Sequence, residues 1–196
     1  MGKEIIIVTI SLGNDGAERI LTELARQWHH DGHKITVIQT SPNRYGTEYA
    51  LPEGIEQIQI HTTSSNKIIR FLQEIKSLIS ILKTRPNATC LSFLSASSFI
   101  LAISSWFVKN RMVFSERNNP RKVPVGKHQQ MLRDFAFKFA DAIVFQTEDA
   151  KSYFSKSIQS RGYIIPNPIN GKLPEPYEGE RHKTIVTACR LHPQKN

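Results

Sequence analysis

The 196-residue sequence has few cysteines and no long apolar run, and each absence excludes a class of protein. Cys90 and Cys189 are too few and too far apart for a disulfide framework or a zinc knuckle. The most apolar later stretch, residues 97–108, is too short and too rich in serine to span a bilayer. The first residues lack the apolar core and cleavage site of a secretory signal. We therefore expect a globular cytoplasmic chain without a membrane-spanning segment.

Acidic residues are also scarce relative to basic ones. The chain has 26 lysines and arginines against 17 aspartates and glutamates, a formal net charge of +9 at pH 7. Such a surface attracts phosphates, nucleic acid or an anionic membrane face, although charge can also serve solubility alone. The basic residues are spread over many elements and lack the interleaved aromatics of nucleic-acid-binding modules. A non-catalytic nucleic-acid-binding α/β domain stays an alternative, but nucleic acid is not the expected partner.

The apolar residues that are present alternate between two periodicities. Residues 4–10 form a continuous β-branched run, which is typical of a strand buried on both faces of a parallel sheet. An amphipathic helix pattern follows and ends near Gly32, and residues 34–40 begin a second strand. This strand–helix–strand unit predicts a right-handed crossover.

The same alternation continues along most of the chain. Further strands are predicted at residues 55–61, 88–94, 111–118, 141–147 and 161–169, and helices at 66–85, 96–110, 127–140 and 148–156. This pattern predicts an α/β fold with a doubly wound, mostly parallel, Rossmann-like sheet. In the long helix we expect five side chains to face the core: Leu72, Ile75, Leu78, Ile79 and Leu82.

The composition changes after residue 169. Residues 170–183 are rich in proline, glycine and charge and have no periodicity, which indicates a linker. An apolar run then restarts and leads into a loop that contains Arg190 and Lys195. The sequence thus predicts one domain over residues 1–169, a linker, and the first strand and loop of a second domain over 184–196.

Four segments in this order resemble the retaining glycosyltransferases of family 4, whose two-domain architecture is called GT-B. They are residues 13–38, 113–120, 141–154 with 163–169, and 187–196. Each motif is weak by itself, and the order and spacing of the four carry the resemblance. It implies the N-terminal, acceptor-side half of a GT-B fold, followed by the start of a nucleotide-sugar-binding domain. The resemblance therefore also implies a truncated chain.

The resemblance implies a binding site for the donor diphosphate. Arg190 and Lys195 match the two basic residues that hold this group in the family, and Gly16 belongs to the loop near the donor phosphates. Arginine offers a planar fork and lysine a point charge to the leaving diphosphate. The sequence departs from the family at Cys189, where glycine is usual. Asp15 is either a contact to the acceptor hydroxyl or a helix cap.

A second group of candidate residues, Glu116, Arg117 and Asn118, follows a predicted central strand. Open α/β sheets place ligand contacts at this position. Many family members have a histidine near the donor sugar here, so the resemblance implies acceptor or sugar contacts for these three residues. An ion pair of Glu116 with an arginine, together with asparagine turn chemistry, is the open structural alternative.

The resemblance implies an enzyme that moves a sugar from a nucleotide diphosphate sugar to a glycan hydroxyl. A lipid-linked acceptor, bacterial surface polysaccharide synthesis and an anionic membrane surface are the expected context. No metal or other cofactor is expected, and no Asp-x-Asp motif is present. The family's catalytic carboxylates belong to the second domain, so no catalytic residue is assigned and the chain is expected to be inactive alone. A dinucleotide-linked oxidoreductase is disfavoured because Gly13 and Gly16 do not complete its glycine fingerprint.

Overall fold

The computed structural model describes most of residues 2–168. The described residues are 2–13, 16–42, 49–93, 95–123 and 126–168, together with 175, 176, 178, 179 and 184. Nearly all of the predicted linker and of the predicted second-domain segment therefore lies outside the described residues.

Strands and helices alternate along the described chain, as the sequence predicts. The elements are β1 (Glu4–Thr9), α1 (Gly16–His30), β2 (Lys34–Gln39), β3 (Glu56–Gln59), α2 (Lys67–Lys83), β4 (Thr89–Ser92), α3 (Ser95–Ser104), a 3₁₀ turn (Ser105–Phe107), β5 (Arg111–Ser115), α4 (Lys127–Phe137), β6 (Ala142–Phe145), α5 (Glu148–Ser152), α6 (Lys156–Gln159) and β7 (Gly162–Ile164).

The strands form one seven-stranded sheet with the order β3-β2-β1-β4-β5-β6-β7. Every neighbouring pair is parallel. In the register of the central strands, Ile7 of β1 lies opposite Val37 of β2 and Leu91 of β4. The order reverses between β1 and β4, where parallel sheets of this class open a crevice at their carboxyl edge. The predicted doubly wound, Rossmann-like sheet is confirmed.

Helices cover the two faces of the sheet unequally. Ile7 packs with Leu21 and Ala25 of α1 in one apolar cluster. Its neighbour Ile6 belongs to a second cluster, to which α2 contributes Leu78 and which also contains residues of α3, α4, α5 and α6. Because successive strand side chains point to opposite faces, β1 has to be apolar at every central position. Among the described helices, α1 alone covers the face toward which Ile7 points, and α2 to α6 cover the face toward which Ile6 points.

Local signals explain several helix ends. Asn66 Oδ1 caps α2 by accepting hydrogen bonds from the backbone N–H of Ile68 at 2.9 Å and of Ile69 at 3.3 Å. Gly32 has a φ of 82°, which lets the chain turn immediately after α1. Helix α3 ends before the predicted residue 110, and the Ser104 hydroxyl at its end donates to a carbonyl one turn earlier.

The predicted helix at residues 148–156 is two short helices in the structure. Ser155 has an extended backbone, with φ −61° and ψ 155°, and precedes α6 as its N-terminal cap residue. Serine favours such a position over a helix interior because its hydroxyl competes for backbone hydrogen bonds. Phe154 is nevertheless buried in the larger apolar cluster. The prediction of one continuous helix is wrong.

One predicted core position is wrong. Ile75, Leu78 and Leu82 are buried, and Ile79 packs against the same cluster, but the Leu72 side chain is 58% exposed. The apolar stripe of α2 is wider than the surface that the sheet and α3 cover. The margin near the start of α2 therefore stays in solvent.

We expect Leu78→Ala to lower the free energy of unfolding by about 2–5 kcal/mol, because it leaves a cavity beneath α2. Leu72→Ala should change the free energy of unfolding by no more than about 0.5 kcal/mol, because its side chain is already in solvent. Urea unfolding followed by circular dichroism measures both values. Equal losses for the two variants would contradict this placement of α2.

Candidate functional site

The carboxyl ends of four neighbouring strands bring polar side chains together at one edge of the sheet. Arg117, two residues after β5, donates a hydrogen bond from Nη2 to Asn167 Oδ1, beyond β7. Gln146, directly after β6, donates from Nε2 to the same oxygen at 3.1 Å. The Arg117 guanidinium also lies 5.2 Å from the ring centroid of Phe93, which follows β4. A single arginine therefore contacts the ends of two other strands.

Glu116 lies beneath this edge rather than on it. Its side chain is 2% exposed, and Oε1 accepts a hydrogen bond from the Asn118 backbone N–H at 3.0 Å. Oε2 lies 3.8 Å from Arg133 Nη1, which is an ion-pair distance but too long for a hydrogen bond. Burial raises the pKa of Glu116 to about 7, and the Asn118 N–H and the Arg133 charge only partly oppose that rise.

Arg133 of α4 holds the loop that follows β5. Its side chain is fully buried, and Nη1 donates to the carbonyl oxygens of Pro120 at 3.0 Å and Val123 at 2.9 Å. Nε and Nη2 donate to the Asp134 carboxylate at 2.9 and 2.8 Å. A buried charge is tolerated only when it is paired and hydrogen-bonded in this way. The loop geometry therefore depends on α4.

A cavity of about 420 Å³ runs along the face that carries α1, from Lys3 before β1 to Arg117 at the polar edge. Its wall is mostly apolar and includes Leu24 of α1 and Leu91 of β4. Ser115 and Arg117 also line it, and among the described residues neither Ser115 Oγ nor Arg117 Nε has a hydrogen-bond partner, although both atoms are buried. Burial lowers the pKa of Arg117, but its usual value lies so far above neutrality that the side chain stays cationic. This wall can therefore bind a polar or anionic group.

The structure brings together part of the predicted site. Arg117 and Asn118 lie at the carboxyl edge with half-buried side chains, and Glu116 is buried beneath it. Gly16 begins α1, after the end of β1, and a Cβ added there would meet no atom of the described residues within 4 Å. The described residues thus leave room for a ligand beside Gly16. Three further predicted residues lie outside the described residues: Asp15, Arg190 and Lys195.

Sequence reasoning missed several residues of this edge. Phe93, Gln146 and Asn167 each follow a strand, so they share with Glu116 the signal that a residue after a parallel strand lies at the ligand-binding edge. Arg133 gave no such signal. In the sequence it is one more basic residue on an amphipathic helix, and only the packing of α4 shows that it faces inward.

The described part of the chain contains neither a candidate metal site nor a candidate membrane-spanning helix. No group of three or more histidine, cysteine, aspartate and glutamate side chains there could hold a metal ion. Among the same residues, no helix has both the length and the apolar character needed to cross a membrane.

Burial raises the pKa of the Cys90 thiol to about 12, so this side chain is not a reactive thiolate.

Comparison with protein families gives a match over most of the chain. The family model described as Glycosyltransferase Family 4 matches residues 14–172, which include α1 and six of the seven strands. A search of curated proteins gives no match.

Several solved structures share the fold. HepE from Anabaena, in complex with UDP and glucose, aligns with a TM-score of 0.69 at 12% identity, over 86% of this chain and 45% of its own. The lipopolysaccharide outer core galactosyltransferase WaaB aligns with a TM-score of 0.67 at 12% identity, over 91% of this chain and 50% of its own. UDP-GlcNAc 2-epimerase from Methanocaldococcus jannaschii aligns with a TM-score of 0.62 at 12% identity, over 85% and 46%. The chain thus spans about half the length of these neighbours, and such identities establish the fold alone.

We expect Glu116 to make stability depend on pH. Its folded pKa lies near 7, above the ordinary value of 4.5, so between those values the folded state holds a proton that the unfolded chain releases. The free energy of unfolding should therefore fall as pH rises from about 4 to about 8, by about 3 kcal/mol in total, and then level off. Glu116→Gln should remove this fall.

Chemical unfolding of the wild type and of Glu116→Gln across this pH range is the measurement. Glu23→Gln is the matched control, because the Glu23 carboxylate is half exposed in a surface ion pair with Arg26. Parallel pH profiles for wild type and Glu116→Gln would mean that Arg133 keeps the Glu116 carboxylate ionised.

Proposed function

Because the chain belongs to glycosyltransferase family 4, we propose that it is the acceptor-side half of an enzyme that transfers a sugar from a nucleotide diphosphate sugar to a glycan hydroxyl. The observation that carries this proposal is the family match over residues 14–172. The complex of HepE with UDP and glucose supports a nucleotide-sugar donor. The fold alone does not separate transfer from epimerisation, because UDP-GlcNAc 2-epimerases share it. The family match favours transfer.

The donor diphosphate would be held by Arg190, Lys195 and the backbone at Gly16. The two cationic side chains would stabilise the negative charge that develops as the diphosphate leaves. The space around Gly16 supports this role, since the backbone at the start of α1 is accessible. No metal ion is required by this proposal, because the cationic side chains supply the positive charge.

The sugar and acceptor contacts would come from the edge at β5. Arg117 and Ser115 each have a buried polar atom that no other described residue satisfies, and both line the cavity. Asn118 lies beside them, with its backbone fixed by Glu116. Glu116 would therefore act by positioning the loop, and Asp15 would be a further acceptor contact.

The whole reaction would retain the configuration of the sugar and pass through an oxocarbenium-like transition state. Its catalytic carboxylates would lie in a second domain. A lipid-linked glycan of bacterial surface polysaccharide synthesis would be the acceptor, met at the cytoplasmic face of the membrane. The net charge of +9 supports an anionic surface as a partner, and WaaB, a lipopolysaccharide galactosyltransferase, shares the fold.

The 196-residue chain alone should show negligible transfer, because the donor pocket has to close across two domains. Extension beyond Asn196 by a family 4 C-terminal domain of about 170–200 residues should restore it. Proton NMR after incubation with UDP-sugars distinguishes released nucleotide from an epimerised sugar nucleotide, because the ring-proton couplings differ between epimers of equal mass. Clear transfer by the unextended chain would contradict the proposal, and an epimerised product from the extended protein would replace transfer with epimerisation.

In the extended enzyme, Arg117→Met should lower kcat/KM by about 10- to 100-fold, because it removes a charge-assisted contact while keeping side-chain length. Arg121→Met is the matched control, since Arg121 lies in the same loop but does not line the cavity; it makes an exposed ion pair with Asp149, at 3.2 Å, and lies over the Tyr153 ring. Steady-state kinetics and thermal unfolding are measured for both variants. Equal losses of activity, or a loss explained by unfolding of Arg117→Met, would remove Arg117 from the site.

A further inference from the structure

The Arg117 side chain is surrounded by groups that follow three other strands of the sheet. Its Nη2 donates a hydrogen bond to Asn167 Oδ1, and Gln146 Nε2 donates to the same oxygen at 3.1 Å. The guanidinium carbon lies over the Phe93 ring, 5.2 Å from its centroid. A free arginine side chain has many rotamers, and each of these contacts removes some of them. The three neighbours therefore restrain a long and otherwise flexible side chain.

Asn167 is itself placed by a stiff backbone. The Ile165 N–H donates to the Phe145 carbonyl at 2.8 Å, which continues the pairing of β6 and β7 past the end of the strand. The next three residues are Pro166, Asn167 and Pro168. Proline fixes its own φ near about −65° and keeps the residue before it in extended backbone. Because Asn167 lies between two prolines, its exposed side chain starts from a well-defined point.

The orientation of the guanidinium plane decides where the other donors of Arg117 point. A guanidinium is planar, so a hydrogen bond at one nitrogen fixes the directions of the remaining N–H groups. The Arg117 side chain lines the cavity, and its Nε is buried with no hydrogen-bond partner among the described residues. Ser115 Oγ, in the same wall, is also buried and unpartnered among them. Asn167 at one end of the guanidinium thus sets the direction of the donor at the other.

We propose that Asn167 is a positioning residue, which together with Gln146 holds the Arg117 guanidinium in the orientation that binds substrate at the cavity wall. This inference rests on the substrate contact that the proposed function gives to Arg117. Asn167 and Gln146 do not have to touch the substrate themselves. They preorganise the arginine, so that less conformational entropy is lost when the substrate binds.

Phe93 is the rival support for the same arginine. Its ring holds the face of the guanidinium by a cation–π contact. Such a contact restrains the distance between the two planes, but it has no hydrogen-bond direction and leaves the guanidinium free to rotate within its own plane. The Asn167 oxygen accepts from one particular nitrogen and therefore defines that rotation.

The order of the Arg117 side chain can be measured in the 196-residue chain without any ligand. A buried Nε–H exchanges slowly with water, so its signal is visible by proton–nitrogen correlation NMR, and Arg117→Met identifies that signal by its loss. We expect an order parameter above about 0.8 for this N–H in the wild type. Asn167→Leu, which keeps the side-chain size but removes the acceptor, should lower it below about 0.6. Asn167→Asp keeps an acceptor oxygen and should preserve the wild-type value.

Asn87→Leu is the matched control for this measurement. Asn87 is an exposed asparagine in the turn between α2 and β4, at the opposite edge of the sheet, so its replacement should leave the Arg117 order parameter unchanged. Gln146→Leu should lower the order parameter less than Asn167→Leu does, because Gln146 acts on Arg117 through the Asn167 oxygen. Thermal unfolding checks that each variant folds.

A double-mutant cycle in the extended enzyme tests the role of Asn167 in the reaction. With the UDP-sugar that this enzyme turns over, Asn167→Leu should lower kcat/KM by about 10-fold when Arg117 is present. In the Arg117→Met background the same change should lower kcat/KM by less than about 2-fold, because the group that Asn167 positions is already absent. A residue that only stabilised the fold would cause the same loss in both backgrounds.

Three results would overturn the proposal. A low order parameter in the wild type would mean that Arg117 is not held, and a high one in Asn167→Leu would mean that Phe93 and burial hold it without Asn167. Equal losses of kcat/KM in the two backgrounds would mean that Asn167 does not act through Arg117. Because the NMR measurement contains no sugar nucleotide, failure of the proposed transfer would not change the order parameters, and failure of the positioning would leave the transfer in place.

Discussion

Parallel pairing of all seven strands is the constraint from which the other features of this molecule follow. A parallel strand has to be reached by a crossover, so each helix returns over a face of the sheet and every strand ends at the same edge. The order of the strands then decides which helices cover each face of the sheet. Only the step from β1 to β2 places a described helix on one face, which leaves β4 and β5 open there to a cavity lined by Thr89, Leu91, Val113 and Ser115. The other face is covered by α2 to α6.

The polar edge depends on an arginine that does not reach it. Arg133 is buried between the loop after β5 and the rings of Tyr153 and Phe154, which lie 5.1 and 4.8 Å from its guanidinium carbon. It holds two loop carbonyls and faces the Glu116 carboxylate. Glu116 in turn fixes the backbone of Asn118. Arg117 is thereby presented to the cavity by a network of buried charges, which is a more rigid support than a solvated loop would give.

The basic character of the chain has two structural consequences that composition alone could not separate. Some cations are internal or paired, as Arg133 is with Asp134 and Arg85 with Glu56 at 2.8 Å. Others remain in solvent around an apolar surface. Leu72 shows why this surface was not expected, since the helical pattern that places Ile75 and Leu78 in the core assigns Leu72 to the same face. Periodicity gives the direction of a side chain and not the extent of the neighbour that would cover it.

The sequence by itself determined the fold class, the order of the elements and the location of one part of the site. These follow from local causes, such as the β-branched run of β1, the Asn66 cap, and the polar residues after β5. It also determined the family, because the order and spacing of the four motifs can be recognised in the sequence alone. Only the tertiary structure decided that Glu116 is buried, that Arg133 supports the loop and that Arg117 meets Asn167. Those facts depend on contacts between residues far apart in the chain, and no local pattern encodes which side chains such packing covers.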